Sequence, residues 1–210
     1  MIKGYCRNKD IEQALMILNE MENMNIKPDE VLYNSLLDGC CKSNEVDLAL
    51  KVYSSMQDLG IRPSNVTYSI LIKVYGKQRN LSKALQILDE MKAQNLAPGL
   101  IVYTCLIQTC IKAKQLKIAE QIMKDMKVQG IRGDHVTYST MINGGLASGR
   151  LDLVGELLSE AREFSIRVDR QLIDSIQSEI KMMDEHNYRE NAGYIEQINF
   201  LCQKGFPSNQ

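Results

Sequence analysis

Residues Glu30–Ser64 read EVLYNSLLDGCCKSNEVDLALKVYSSMQDLGIRPS, and this stretch decides the fold. Val31, Tyr33, Leu36, Leu37, Cys40 and Cys41 recur at three- and four-residue steps, the period of an amphipathic helix. A second apolar stripe follows: Val46, Leu48, Ala49, Leu50, Val52, Tyr53 and Met56. Asn44, just ahead of it, is predicted to be its N-cap. Gly60 suits a left-handed C-cap, and Pro63 prevents the helix from continuing. The stretch therefore reads as helix, short turn, helix, short turn.

The same pattern returns every 35 residues. Met21, Met56, Met91 and Met126 keep that interval, as do Pro28, Pro63 and Pro98. So do Ala14, Ala49, Ala84 and Ala119, and Tyr33, Tyr68, Tyr103 and Tyr138. Asn25 and Asn95 stand where Gly60 and Gly130 stand, and Asn also tolerates a left-handed backbone. A fixed period of this length means one small supersecondary unit stacked repeatedly, each copy burying its neighbour's apolar face. The Ala column is expected where the two helices of a hairpin cross, and the Tyr column in the core between helices. The expected fold is all-α, a right-handed α-solenoid of stacked helix-turn-helix repeats. Residues 1–29 form an incomplete unit, followed by units 30–64, 65–99, 100–134 and 135–169. Residues 170–210 read as a degenerate repeat with a first helix to about Asp184. A last helix is expected from about Asn187 to Lys204, containing Tyr194, Ile195, Ile198 and Leu201 and ended by Gly205 and Pro207. Its role would be to cap the array.

Composition narrows the partners. The net charge is −1, so no strong field draws nucleic acid or anionic membranes nonspecifically. No run of about eighteen apolar residues exists, which excludes a membrane-spanning helix as a reading. Cys6, Cys40, Cys41, Cys105, Cys110 and Cys202 form no C-x-x-C pair. They read as buried small apolar residues of a reducing compartment. His135 and His186 read as solvent-facing, and no metal or cofactor motif is present. Met1–Arg7 aligns with Leu36–Lys42, the interior of a repeat. The expectation is a chain that begins partway through a helix, with any targeting segment upstream.

Val66-Thr-Tyr-Ser-Ile-Leu-Ile and Val136-Thr-Tyr-Ser-Thr-Met-Ile, with the Ala, Met and Gly-Ile positions that follow them, resemble the pentatricopeptide repeat family. The 35-residue period and the lack of a Trp and Gly-Tyr signature separate it from tetratricopeptide repeats. The resemblance covers residues 1–169. It implies single-stranded RNA as partner, one base per repeat, in mitochondria or alternatively plastids, with other RNA-processing proteins as further partners.

The residues support that idea independently. Counting Glu30 as the first residue of its unit, the second, fifth, ninth and thirteenth residues share one stripe of the first helix. Val31, Val66, Ile101 and Val136 hold the second position, where stiff apolar side chains could clamp a base or pack between repeats. Asn34, Ser69, Thr104 and Ser139 hold the fifth. Such residues cost helix stability relative to Ala, so their confinement to one column points to hydrogen bonding with a ligand. Arg7, Lys42, Lys77 and Lys112 hold the thirteenth, with Ala147 breaking the series. They could neutralise phosphate or merely complement a helix C-terminus. The last residues, Asp29, Ser64, Gly99, Asp134 and Asp169, are mostly good N-caps for the next helix.

Within the family, the fifth and last residues of a unit jointly choose the base. The resemblance then implies that Asn34 with Ser64 reads a pyrimidine, cytosine preferred. Thr104 with Asp134, and Ser139 with Asp169, would read guanine. Ser69 with Gly99 departs from the pattern and implies only a weak purine preference. The implied site is pyrimidine, purine, G, G, read 5′ to 3′.

No catalytic constellation stands out. The H-x-E and C-x-x-C segments of a zinc deaminase are missing. Glu12, Asp47, Asp89, Glu90 and Asp125 read as solvated second-helix surfaces. The rival reading is a protein-binding α-solenoid, a scaffold or ribosome-associated subunit without base readout.

Overall fold

Local side-chain chemistry sets where each helix begins. Asp29, Asp134 and Asp169 each accept a hydrogen bond from the backbone N–H three residues on, at 2.8, 2.9 and 2.8 Å. Ser64 accepts from Val66 N at 3.2 Å while its own N–H donates to Thr67 Oγ1 at 3.1 Å, a reciprocal cap. These four residues cap their helices as the sequence indicates. Gly99, with no side chain, cannot. The computed structural model describes residues 2–8, 10–24, 26–204 and 206, with the side chains of Arg7, Glu22 and Lys204 outside the description. Asn25, Gly205 and Pro207, and the turn roles expected of them, lie outside the described residues.

Thirteen helices and no strand occur among the described residues. They are α1 (Ile2–Arg7), α2 (Ile11–Asn23), α3 (Glu30–Ser43), α4 (Val46–Asp58), α5 (Asn65–Lys77), α6 (Leu81–Ala93), α7 (Leu100–Lys112), α8 (Leu116–Val128), α9 (His135–Ala147), α10 (Leu151–Glu163), α11 (Arg170–Met182), α12 (Glu185–Glu190) and α13 (Ala192–Lys204). Two compact units, Met1–Thr109 and Cys110–Gln210, divide the chain within α7. In the first unit, α3 packs against α4 and α5 against α6, while α1, α3 and α5 stack in sequence. In the second, α9 packs against α8, α10 and α11, and α10 against α13.

Two columns of left-handed backbone turn the chain. Gly60, Asn95, Gly130 and Ser165 (φ 70°, 55°, 72° and 54°) end the second helices. Asn44, Arg79, Lys114 and Gly149 (φ 66°, 57°, 57° and 66°) end the first ones. The second column corrects the expectation for Asn44. It is the left-handed C-cap of α3, its N–H directed at Cys40 O and Cys41 O, while Glu45 precedes α4 without a side-chain cap. So short a connection needs a positive φ at that point, and Asn supplies it cheaply.

Ala49, Ala84 and Ala119 are fully buried, as are Met56, Met91 and Met126. The Tyr column is buried, and the phenols of Tyr33, Tyr68 and Tyr138 reach the second helix of the same hairpin, 22 residues on. Tyr33 Oη lies 3.0 Å from Ser55 Oγ, Tyr68 donates to Glu90 Oε1 at 3.2 Å, and Tyr138 donates to Glu160 Oε2 at 3.1 Å. Glu90 is therefore not a solvated surface carboxylate: it also accepts from Tyr53 of α4 at 2.7 Å, joining two hairpins. Burial, with Glu90 beside it, pushes the Tyr68 hydroxyl up to about 12. Gly39 permits close stacking of α3 on α1, since a Cβ there would lie 2.8 Å from Cys6 Cβ.

The C-terminal helix also differs from expectation. Asp184 caps α12 through a 2.8 Å bond from Asn187 N, and the run breaks at Asn191 before α13 begins. No residue of α12 is buried, so it has no packed face to make it one rod with α13. Ile195, Ile198, Leu201 and Cys202 are buried, whereas Tyr194 is exposed. Gln197 Nε2 donates to Ser159 Oγ of α10 at 3.1 Å, beside Gly155.

Candidate functional site

The second residue of each repeat lies one position into the first helix, before the apolar core stripe begins. Val31, Val66 and Ile101 are 69%, 47% and 44% exposed, so packing between repeats does not account for them. Val136 is half-buried. Val31 and Asp29, together with Ile2, Ile17, Met21 and Leu32, line an open, mostly apolar cleft of about 480 Å³.

The fifth residues do not behave alike. Asn34 is half-buried and bonded through both ends of its carboxamide. Its Nδ2 donates to Glu30 Oε1 at 2.9 Å, and its Oδ1 accepts from Thr67 Oγ1 of α5 at 2.8 Å. Ser64 Oγ donates to the same Glu30 oxygen. Asn34 and Ser64, the fifth and last residues of one repeat, are thus brought onto one carboxylate. Glu30 and Thr67 were not singled out in the sequence. The signal was available: a polar residue at the first position and a Ser-x-x-Thr cap.

Ser69 and Thr104 are 1% and 7% exposed, so four equally open hydrogen-bonding side chains along one stripe are not present. Ser69 Oγ turns back to Val66 O at 2.7 Å, as a short hydroxyl in a helix readily does. Ser139 is half-buried and bonds Val136 O at 3.2 Å. At Gly99 the place of the last side chain is taken by Asn65, whose Oδ1 accepts from Gly99 N at 2.6 Å. Asp134 Oδ1 also accepts from Thr137 Oγ1 at 2.8 Å, and Asp169 is exposed.

The thirteenth-position cations divide as well. Lys42 pairs with Asp38 at 2.6 Å on the surface, an arrangement worth well under about 1 kcal/mol. Lys77 Nζ donates to Cys41 O at the C-terminus of α3. Lys112 is exposed, and the side chain of Arg7 lies outside the described residues. Ala147 instead lines a small cleft shared with Lys114.

The cysteines are buried, and burial pushes Cys40 up to about 12 and Cys110 up to about 11, far from thiolate reactivity. Among the described residues no His, Cys, Asp and Glu group could hold a metal ion, and no helix is long and apolar enough to cross a membrane.

The sequence matches the model of the PPR repeat family over residues 1–42, 28–77 and 98–145, and a second PPR repeat model over residues 66–96. No curated protein matches at a significant level. The structure is similar to the maize pentatricopeptide repeat protein PPR10, with a TM-score of 0.78 at 19% identity over 97% of this chain. The chain spans 29% of that protein's length. PPR10 in complex with an 18-nt psaJ RNA element gives a TM-score of 0.74 at 19% identity, over 98% of this chain and 30% of that one. The PPR domain of Arabidopsis thaliana protein-only RNase P 1, in complex with tRNA, gives 0.70 at 16% identity, over 86% and 95%. At these identities the likeness shows the fold, an all-α array of helical hairpins.

Proposed function

Because the chain belongs to the PPR repeat family, we propose that it binds single-stranded RNA on its first helices, one base per repeat, in organellar RNA metabolism. The observation that carries this reading is the exposure of Val31, Val66 and Ile101 at the same place in successive repeats. An exposed β-branched side chain at the start of a helix contributes little to packing, whereas a stiff apolar surface there suits contact with the face of a base. The fifth and last residues are the candidates for the polar edge: Asn34 with Ser64, Ser139 with Asp169, and Thr104 and Asp134 by repeat register, while Ser69, sealed beside Gly99, offers least. Lys42, Lys77, Lys112 and Arg7 supply positive charge for phosphates. Residues 170–210 close the array. Two similar structures carry RNA, the psaJ element on PPR10 and tRNA on the RNase P domain, which supports the same ligand class here. Mitochondria or plastids are the compartments this reading places it in.

One observation favours the scaffold alternative. Ser69 and Thr104 are buried, and Lys77 is tied to a helix end. A protein-binding array would leave those groups so. Selection from a randomised RNA pool separates the two readings. RNA binding predicts enrichment of a short motif, and Lys42→Gln, Lys77→Gln and Lys112→Gln together flatten the salt dependence of binding. A pool returned unenriched, with salt dependence unaltered, leaves the scaffold.

A further inference from the structure

The charge at the end of the first helix changes from repeat to repeat. The ninth, thirteenth and fifteenth residues are Asp38, Lys42 and Asn44 in Glu30–Ser64, and Lys73, Lys77 and Arg79 in Asn65–Gly99. They are Gln108, Lys112 and Lys114 in Leu100–Asp134, and Asn143, Ala147 and Gly149 in His135–Asp169. The outer two sets are neutral, since Asp38 pairs with Lys42 at 2.6 Å and the last set has no charge at all. The middle two hold cations and no acid. They also stand in acid-free sequence. Between Asp58 and Asp89 there are five Lys and Arg and no Asp or Glu, and between Glu90 and Glu120 four Lys and again no Asp or Glu. The net charge of −1 conceals this zoning.

Lys73, Lys77, Arg79, Lys112 and Lys114 are exposed, and none forms an ion pair among the described residues. Lys77 is committed to Cys41 O, which leaves Lys73 and Arg79 as the free charges of its repeat. Arg79 and Lys114 both hold left-handed backbone at φ 57°, a conformation that Asn44 and Gly149 adopt at less cost in the neighbouring repeats. A long cation kept at that place gives up stability, so its charge calls for another use. We propose that Arg79 and Lys114, at the fifteenth position, contact RNA phosphates, with Lys73 assisting Arg79. The strand's backbone is then gripped at the first-helix ends of the two middle repeats and not at those of the repeats on either side. The inference rests on the RNA reading above. Arg79 and Lys114 follow two residues after the thirteenth-position lysines, so a strand within reach of one is within reach of the other. Such contacts supply attraction and register without base preference. Each phosphate neutralised on a single strand adds about 0.7 to the slope of log affinity against log salt.

The test titrates the full chain with labelled C-A-G-G RNA and with a randomised RNA of the same length, at salt concentrations from about 50 to 300 mM. Binding is followed by fluorescence anisotropy and folding by circular dichroism. Arg79→Gln and Lys114→Gln should each weaken binding to both RNAs by about fivefold at the lowest salt and lower the slope by about 0.7, with unaltered melting. Lys42→Gln removes the same charge from an existing pair and should change binding by less than about twofold. Asp38→Asn releases Lys42 and should tighten binding. Lys42→Gln weakening binding as much as Arg79→Gln overturns the inference, because charge then acts without regard to place. Unchanged binding in both Arg79→Gln and Lys114→Gln, while the wild type holds RNA, overturns it too. A wild-type chain that binds neither RNA overturns the RNA reading itself and the inference with it, and a poly-glutamate peptide bound instead identifies an acidic protein as the partner.

Discussion

The repeats Glu30–Ser64 and Asn65–Gly99 share a backbone and differ in what they place on it. In the first, Glu30, Asn34, Ser64 and Thr67 form one connected polar cluster. In the second, Ser69 is sealed and Asn65 has moved into the gap at Gly99. The difference teaches that the hairpin is held by its buried columns, so the ends of the first helices are free to vary in chemistry. It also shows that a column can keep its position while its residues exchange duties.

Exchanges between these two repeats would break or sharpen the contrast, and the largest effect is steric. Gly39 and Val74 occupy the same column, both buried, but only at Gly39 would a Cβ strike a neighbour. Gly39→Val should therefore cost about 3 kcal/mol in urea melts by forcing α1 and α3 apart. If it is tolerated, the two repeats stack less differently than the distances indicate.

Next comes the tyrosine link, neutral in one repeat and carboxylate-bonded in the other. Glu90→Leu should cost about 2 kcal/mol, because two phenols lose a charged acceptor, against about 1 kcal/mol for Ser55→Ala. The Tyr68 hydroxyl titrates higher in the fold than in the unfolded chain, where it is near 10. Its contribution to stability is thus whole below pH 10 and is lost as pH rises through about 12. Melts across that interval should fall steeply in the wild type and less so in Tyr68→Phe.

Base preference should follow in size. On the proposed RNA reading, Asn34→Thr should shift the preference of the Glu30–Ser64 repeat from pyrimidine towards purine, a change of about 1–2 kcal/mol in discrimination, leaving the neighbouring position untouched. Pool selection on the variant checks it. The smallest effect belongs to the turns. Asn44 and Arg79 hold the same left-handed place, where Arg is strained and Asn is not. Arg79→Gly should add about 0.5–1 kcal/mol, and Asn44→Gly should change little, both read from thermal melts.

Most of the architecture could be read from spacing, because buried Ala, Met and Tyr leave a residue-type signature every 35 positions. The starts of α3, α5, α7 and α9 follow from the same register. What escaped reading has physical causes. Asn44, Arg79, Lys114 and Gly149 share a torsion angle and no chemistry, so their column was invisible. Glu90 looked solvated because its partner phenols come from two different hairpins. The burial of Ser69 and Thr104 could not be inferred from polarity, since a helix carbonyl can satisfy a short hydroxyl from within. Nor did polarity alone mark Glu30 and Asn65, whose importance depends on a residue 34 places away.

Both reversals of the hairpins between Glu30 and Asp169 are set by backbone torsion, at Asn44 and Gly60 and their equivalents, and not by any one side chain. A duplicated block of 35 residues therefore re-enters the array in frame, with its own joints supplied, whatever its outward chemistry. Gene duplication can lengthen such a protein by whole hairpins, whereas an insertion of another size would disturb the hairpin that receives it and the stacking of its two neighbours.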